Sequence, residues 1–229
     1  MEFKTSSDYR RQARMVMSGK YWYMFGVSLL AMITIGIGSG ISELFASYGN
    51  GVNEPTMLST LVSFACILFI NFPISVGLLR FFIISTRTEA DVSELIYPYK
   101  NKCTNVIIAM LKRDVFVMLW SLLFIIPGVI KSYSYFMVGY LLAENPNMES
   151  SRAFEISKQA MEGYKMKVFS LNLSFMGWIL LGLCAFGVGI VFVIPYEQTA
   201  LVGLYEDIKQ SAISRGIMSQ EELTVQNVI

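Results

Sequence analysis

Glu197 stands within the apolar run 168–208, with Gln198 and Thr199 beside it and Pro195 two positions earlier. A charge at the bilayer centre costs at least about 2.5–3.5 kcal/mol on insertion scales. Such a carboxyl is therefore protonated, paired or turned toward a polar cavity. Proline has no amide proton, so Pro195 frees the carbonyl of Val191 and adds an acceptor nearby. This grouping fits an ion, proton or substrate site built on Glu197, Gln198 and Thr199. Two structural readings stand beside it: a pair with Lys131, or a looser crossing that leaves Glu197 close to the surface. Lys131 in turn either meets Glu197 from a neighbouring hairpin or extends to the outer surface on its long apolar stem.

Other chemistry is scarce. The 229 residues contain no histidine, which excludes His-based acid–base catalysis, Ser-His and Cys-His nucleophiles and His metal sites. No GxSxG, Walker A or HExxH pattern occurs. Cys66, Cys103 and Cys184 are widely spaced and odd in number, so they read as small apolar packers. The expectation is a chain that is no enzyme, with no catalytic, cofactor-binding or metal-binding residues. With 18 Lys+Arg against 17 Asp+Glu, no basic surface for nucleic acid is expected either. Charged residues make up only 15%, hydrophobic ones 54%, and the mean hydropathy is +0.53. A soluble domain has about 25% charged residues; this is the composition of an integral membrane protein.

The elements that must hold these residues follow from the apolar runs. Residues 1–20 are polar and basic, with Ser7 or Asp8 placed to cap a short helix. Tyr21, Trp22 and Tyr23 then form an interface belt, and 24–45 are almost uncharged. Gly36, Gly38 and Gly40 near the far end permit either close packing or local flexibility. A short turn-rich loop, 46–56, leads to a second run, 57–84, interrupted by Pro73. Arg80 near its end is placed to snorkel to headgroups. Connector 85–106 is polar, with room for a short helix around Val92–Tyr97. The stretch 115–143 contains Pro127-Gly128, which predicts a break between helices at 107–126 and 129–143; one kinked helix is the rival. Residues 144–167 place Ala153, Ile156, Ala160 and Tyr164 on one helical face, an amphipathic helix on the membrane surface or against other helices. The run 168–208 is too long for one crossing of about 20 residues. Gly187-Val188-Gly189 divides it into 168–186 and 189–208, and a cytoplasmic tail, 209–229, follows.

Three segments resemble one another: Pro73 to Leu79, Phe136 to Leu142, and Thr199 to Tyr205, each with Val-Gly at its centre or a residue away. They suggest a repeat of three hairpins. With residues 1–20, 80–113, 144–167 and 209–229 inside, 17 of the 18 Lys+Arg lie on the cytoplasmic side. Only Lys131 is left over. The expected fold is an all-α, polytopic transmembrane helical bundle of six helices as three hairpins, with the membrane domain at 21–208. Arg80, Glu144, Glu206 and Asp207 fall at inner helix ends as interface anchors. Asn172 is a candidate for an interhelical hydrogen bond. Tyr133, Tyr135, Tyr140, Tyr196 and Tyr205 serve either packing and interface belts or an aromatic pocket for an amphipathic ligand.

The stretch from Leu119 to Met148, then Ser174 to Ile208, resembles the DUF975 family of bacterial integral membrane proteins. The features that carry it are Ile126-Pro127-Gly128 with Lys131, Ala143-Glu144-Asn145-Pro146, Gly177-Trp178, and Ile194-Pro195-Tyr196 followed by Tyr205-Glu206. Ala13-Arg14 and Gly19-Lys20-Tyr21-Trp22 extend the resemblance over nearly the whole chain. Glu149 departs from it, standing where a capping Ser is expected; Ser150 or Ser151 is placed to take over. The resemblance implies a multi-pass plasma-membrane protein of a bacterium, and no particular reaction. Two functions remain in view: a non-enzymatic accessory component of a transport, export or envelope-stress system, binding a partner or amphipathic ligand; and a small transporter or channel using Glu197 and Lys131. Expected partners are the lipid bilayer and a membrane protein or a second copy of the chain.

Overall fold

The computed structural model describes residues 4–50, 57–184 and 188–223, and every described element is helical. Helix α1 (Ser6–Met17) starts in a capping box: Thr5 accepts from the Asp8 amide, and Asp8 accepts from the Thr5 amide. Thr5, not Ser7 or Asp8, is thus the cap residue. Tyr9, Ala13 and Met17, four apart, are its buried face. The chain turns by 99° into α2 (Tyr21–Asn50). The turn-rich loop expected at 46–56 is helical up to Asn50, and its remainder lies outside the described residues. A carbon added at Gly36 or Gly40 meets nothing within 4 Å, so these glycines mark no close helix packing.

Helix α3 (Met57–Cys66), a π-helical turn (Ile67–Asn71) and α4 (Phe72–Arg87) form one rod. Pro73 does not end it. Its missing amide would have bonded the Phe69 carbonyl, which instead accepts from the Tyr99 hydroxyl at 2.6 Å. A 3₁₀ turn (Val92–Ile96) and α5 (Tyr97–Lys100) fill the connector. Next come α6 (Cys103–Leu123), α7 (Ile125–Ser134) and α8 (Phe136–Glu144). The expected break at Pro127-Gly128 lies earlier, at Phe124, whose backbone is extended. Pro127 sits in the first turn of α7, where an amide has no intrahelical partner to lose. Gly128 serves the packing instead: a carbon added there would stand 2.1 Å from the Ser121 hydroxyl of α6.

The amphipathic segment folds as α9 (Ser150–Ala160), burying Ala153, Phe154, Ile156 and Ala160. Glu149 occupies its cap position without a capping hydrogen bond; neither Ser150 nor Ser151 replaces it there. The last pair is α10 (Lys165–Cys184) and α11 (Val188–Ser214); Pro195 lies inside α11 without ending it. The expected turn at Gly187-Val188-Gly189 falls partly outside the described residues.

Among the described residues, three stretches are long and apolar enough to cross a membrane: Met57–Arg87, Ile125–Glu144 and Lys165–Cys184. Lys112, Arg113 and Asp114 keep α6 from joining them, although its far half exposes Met118, Leu119, Leu122 and Leu123. Large apolar side chains are likewise exposed along α2, α3 and α10, a surface suited to lipid rather than water.

The packing follows a recurring order. Helix α2 lies on α3, α6 on α7, and α10 on α11. The 3₁₀ turn Val92–Ile96 packs on α4, α9 on α8, and α1 on α11, so the first helix lies against the last. Phe81, Phe82, Met137, Leu141, Ile156 and Tyr205 are among the fully buried side chains of the core.

Candidate functional site

Toward the C-terminal ends of α4, α8 and α11 four charges meet. The Lys209 ammonium donates to Glu144 Oε1 at 3.0 Å and pairs with Glu206 Oε2 at 2.6 Å. Arg87 pairs with both carboxylates. The Tyr205 hydroxyl donates to Glu144 Oε2 at 2.7 Å. Glu206 and Lys209 are three apart on α11, so one helical face presents both signs. Two cations and two anions leave the cluster neutral, the condition under which buried charges are tolerated. A cavity of about 220 Å³ adjoins it, lined by Gln12, Thr86, Arg87, Thr199 and Glu206.

Arg80 is drawn inward rather than to headgroups. It pairs with Glu94 at 2.6 Å, donates to the Ala143 carbonyl at 2.8 Å, and stacks on the Tyr97 ring. Asp207 accepts from Tyr9 at 2.8 Å and pairs with Lys4 at 3.3 Å. The helix-end charges expected as anchors thus tie elements together. Arg87 and Lys209 were not singled out from sequence. Their signal was the three matching segments of α4, α8 and α11, helices that carry Arg87, Glu144 and Lys209 after the matched stretch.

A cleft of about 560 Å³ opens between α6, α7, α8, α10 and α11. Tyr133, Tyr135, Phe136 and Tyr140 supply aromatic surface; Gln198 and Asn172 supply amides. Asn172 Oδ1 is buried without a hydrogen-bond partner, so the expected interhelical bond is not made through it. Arg113 and Asp114, paired at 2.7 Å, also line the cleft. Tyr140 stacks on Tyr205 with ring centres 4.7 Å apart. The cleft wall therefore rests on the ring that hydrogen-bonds Glu144.

The three residues expected to form an intramembrane polar site are dispersed. Gln198 lines the cleft. Glu197 is half-buried with no ion pair or hydrogen bond among the described residues. Lys131 lies 4.7 Å from the centre of the Trp120 ring, a cation–π contact, and makes no ion pair with Glu197.

Outside the membrane-type helices the C-terminal segment is clasped. Arg152 donates to Glu222 Oε1 at 3.0 Å and to the Ile217 carbonyl at 2.9 Å. The hydrogen bond from Arg152 holds the Glu222 carboxyl below its ordinary range. Hydrogen bonds from Thr5 do the same for Asp8.

The architecture is that of an all-helical protein with membrane-type helices. Residues 123–212 match the family model described as "Protein of unknown function (DUF975)", which supports assignment of the chain to that family. The match runs from the end of α6 into α11 and includes Glu144, Tyr205, Glu206 and Lys209, whereas Arg87 and α1 precede it. No curated protein and no solved structure matches the chain.

Proposed function

We propose that the chain is a multi-pass protein of a bacterial plasma membrane, crossing six times as three hairpins with both termini cytoplasmic. Its task is to hold an amphipathic molecule in the cleft between α6 and α11, as a non-enzymatic component of a transport, export or envelope-stress system. The observation that carries this reading is the cleft itself. Four aromatic rings offer apolar surface, while Gln198, the unpartnered Asn172 oxygen and the Arg113–Asp114 pair offer polar contacts. Pockets of this mixed lining suit ligands with a polar and an apolar end. The topology rests on the paired helices and on the concentration of Lys and Arg on one side.

The test is purification in a mild detergent through a C-terminal tag, with mass spectrometry of both bound proteins and small amphiphiles. An amphiphile retained by the wild type and lost from Tyr133→Ala and Gln198→Leu, at unchanged monodispersity, supports the reading. A stoichiometric protein partner with no retained amphiphile would replace it by a purely structural subunit.

Glu197 favours a second reading, a small transporter. It is a half-buried carboxyl without an ion pair among the described residues, on a helix with an internal proline. Intramembrane ionisable groups of this kind mark ion or substrate paths. Loss of flux in Glu197→Gln at normal protein level supports it; loss of the protein itself assigns Glu197 a structural role.

A further inference from the structure

A second concavity, separate from the cleft, lies where α1 crosses α10 and α11. It measures about 660 Å³, and Tyr21, Trp178, Phe192 and Tyr196 line it together with Arg10 and Arg14. The arginines are four apart, so they share a face of α1. Neither makes an ion pair among the described residues. Arg10 Nη1 makes a 3.4 Å bond to the Ser174 carbonyl, while its Nε is buried without a partner. No Asp or Glu lines the groove.

The 99° turn between α1 and α2 gives this groove its orientation. With α2 crossing the bilayer, α1 would lie nearly in the plane of the membrane. The two guanidinium groups supply the polar part of the groove and the rings its apolar part, beside exposed apolar side chains of α10. Phe192 stacks on Phe25 at 4.7 Å and its carbonyl accepts from Tyr21, so this part of the wall is fixed by α2 and α11. A buried guanidinium nitrogen without an acceptor calls for an oxyanion, and an apolar trough continuing from it calls for an acyl chain.

We infer that this groove binds one anionic phospholipid of the surrounding membrane, its phosphate between Arg10 and Arg14 and an acyl chain along Tyr21, Trp178 and Phe192. Zwitterionic lipids bring an ammonium into a mouth that holds two cations and no carboxylate, and are disfavoured there. The lipid would add to the polar links that already fasten α1 to the α10–α11 pair, from Tyr9 to Asp207 and from Arg10 to the Ser174 carbonyl.

Trp178 is a native reporter. The full chain, with Trp22→Phe and Trp120→Phe, is reconstituted into phosphatidylcholine vesicles containing a small fraction of brominated phosphatidylglycerol or brominated phosphatidylcholine. The expected result is preferential quenching of Trp178 by the anionic lipid, about fivefold in apparent affinity for each arginine, the scale of one basic side chain at an anionic surface. Arg10→Gln with Arg14→Gln should bring the two lipids to parity at Trp178. A second reporter, with Trp120 as the single tryptophan on α6, should be unaffected by that change. Equal quenching by both lipids with the arginines intact would overturn the proposal without need of any arginine variant. So would an equal fall at both reporters, which would reveal only a general surface charge.

Discussion

Lys209 Nζ lies 3.0 Å from Glu144 Oε1, and the two side chains are only 3% and 8% exposed. They belong to helices that also meet through the Tyr140–Tyr205 stack and the Tyr205 hydroxyl bound to Glu144. The pair thus joins α8 to α11 where apolar packing alone would leave them free to shift. Arg87 brings in α4, so three helices share one neutral network near their C-terminal ends.

Removing one charge should cost more than removing two. Lys209→Met strands Glu144 and Glu206 with Arg87 alone, and breaking a buried pair costs about 3–5 kcal/mol. Glu144→Met combined with Lys209→Met leaves Arg87 paired with Glu206 and should recover much of that loss. Thermal unfolding of the detergent-solubilised protein, followed by size-exclusion recovery, measures both. A double variant as unstable as the single one would contradict the network as described.

Tyr205→Phe keeps the ring against Tyr140 and deletes only the hydroxyl that Glu144 accepts from. Hydrogen bonds to charged groups are worth about 1.5–3 kcal/mol, so the same unfolding assay should show a moderate loss, smaller than that of Lys209→Met. No change in melting would mean that water replaces the hydroxyl freely.

Gly77 permits the 3₁₀ turn to touch α4: a carbon added there would stand 2.1 Å from the Leu95 carbonyl oxygen. Gly77→Ala should push the connector away at about 1–3 kcal/mol, the usual cost of overpacking, and expose residues 88–102 to protease. Gly26→Ala, which meets nothing within 4 Å, is the matched control and should be silent.

The clasp at the C-terminal segment should open in acid. Arg152 lowers the folded-state pKa of Glu222 below its unfolded value, about 4.3. The contribution is complete above the unfolded value and is lost as pH falls through the folded one. Hydrogen-exchange protection of residues 215–223, where Met218 and Leu223 are buried, corrected for the slowing of intrinsic exchange in acid, should therefore be high at neutral pH and fall only below the ordinary carboxylate range. Protection lost between pH 5 and 8 would assign the clasp to another group.

Much of the helical plan was legible because lipid-facing runs and polar connectors differ sharply in composition. The amphipathic face of α9 came from its periodicity, and the polar connector at 85–106 from its charges. Pro127 misled because proline ends a helix or opens one according to its position in the turn, which depends on Phe124 becoming extended. Arg80 misled for a different reason. Its long stem suits snorkelling equally well, and only the tertiary placement of Glu94 and Tyr97 turns it inward. The Glu144 network was half visible: its carboxylates stood out at helix ends, but Lys209 looked like the first residue of a polar tail. The pairing of Lys131 with Glu197 required neighbouring hairpins to face each other at one depth, and single-chain patterning carries no such register.

The contact of the first helix with the last has a temporal side. Tyr9 donates to Asp207 across 198 positions, so α1 leaves the ribosome long before its partner helix exists. Until then the face of Tyr9, Ala13 and Met17 lacks the helix on which α1 chiefly packs. A chain cut short before α11 should therefore be cleaved within α1 more readily than the full chain under limited proteolysis.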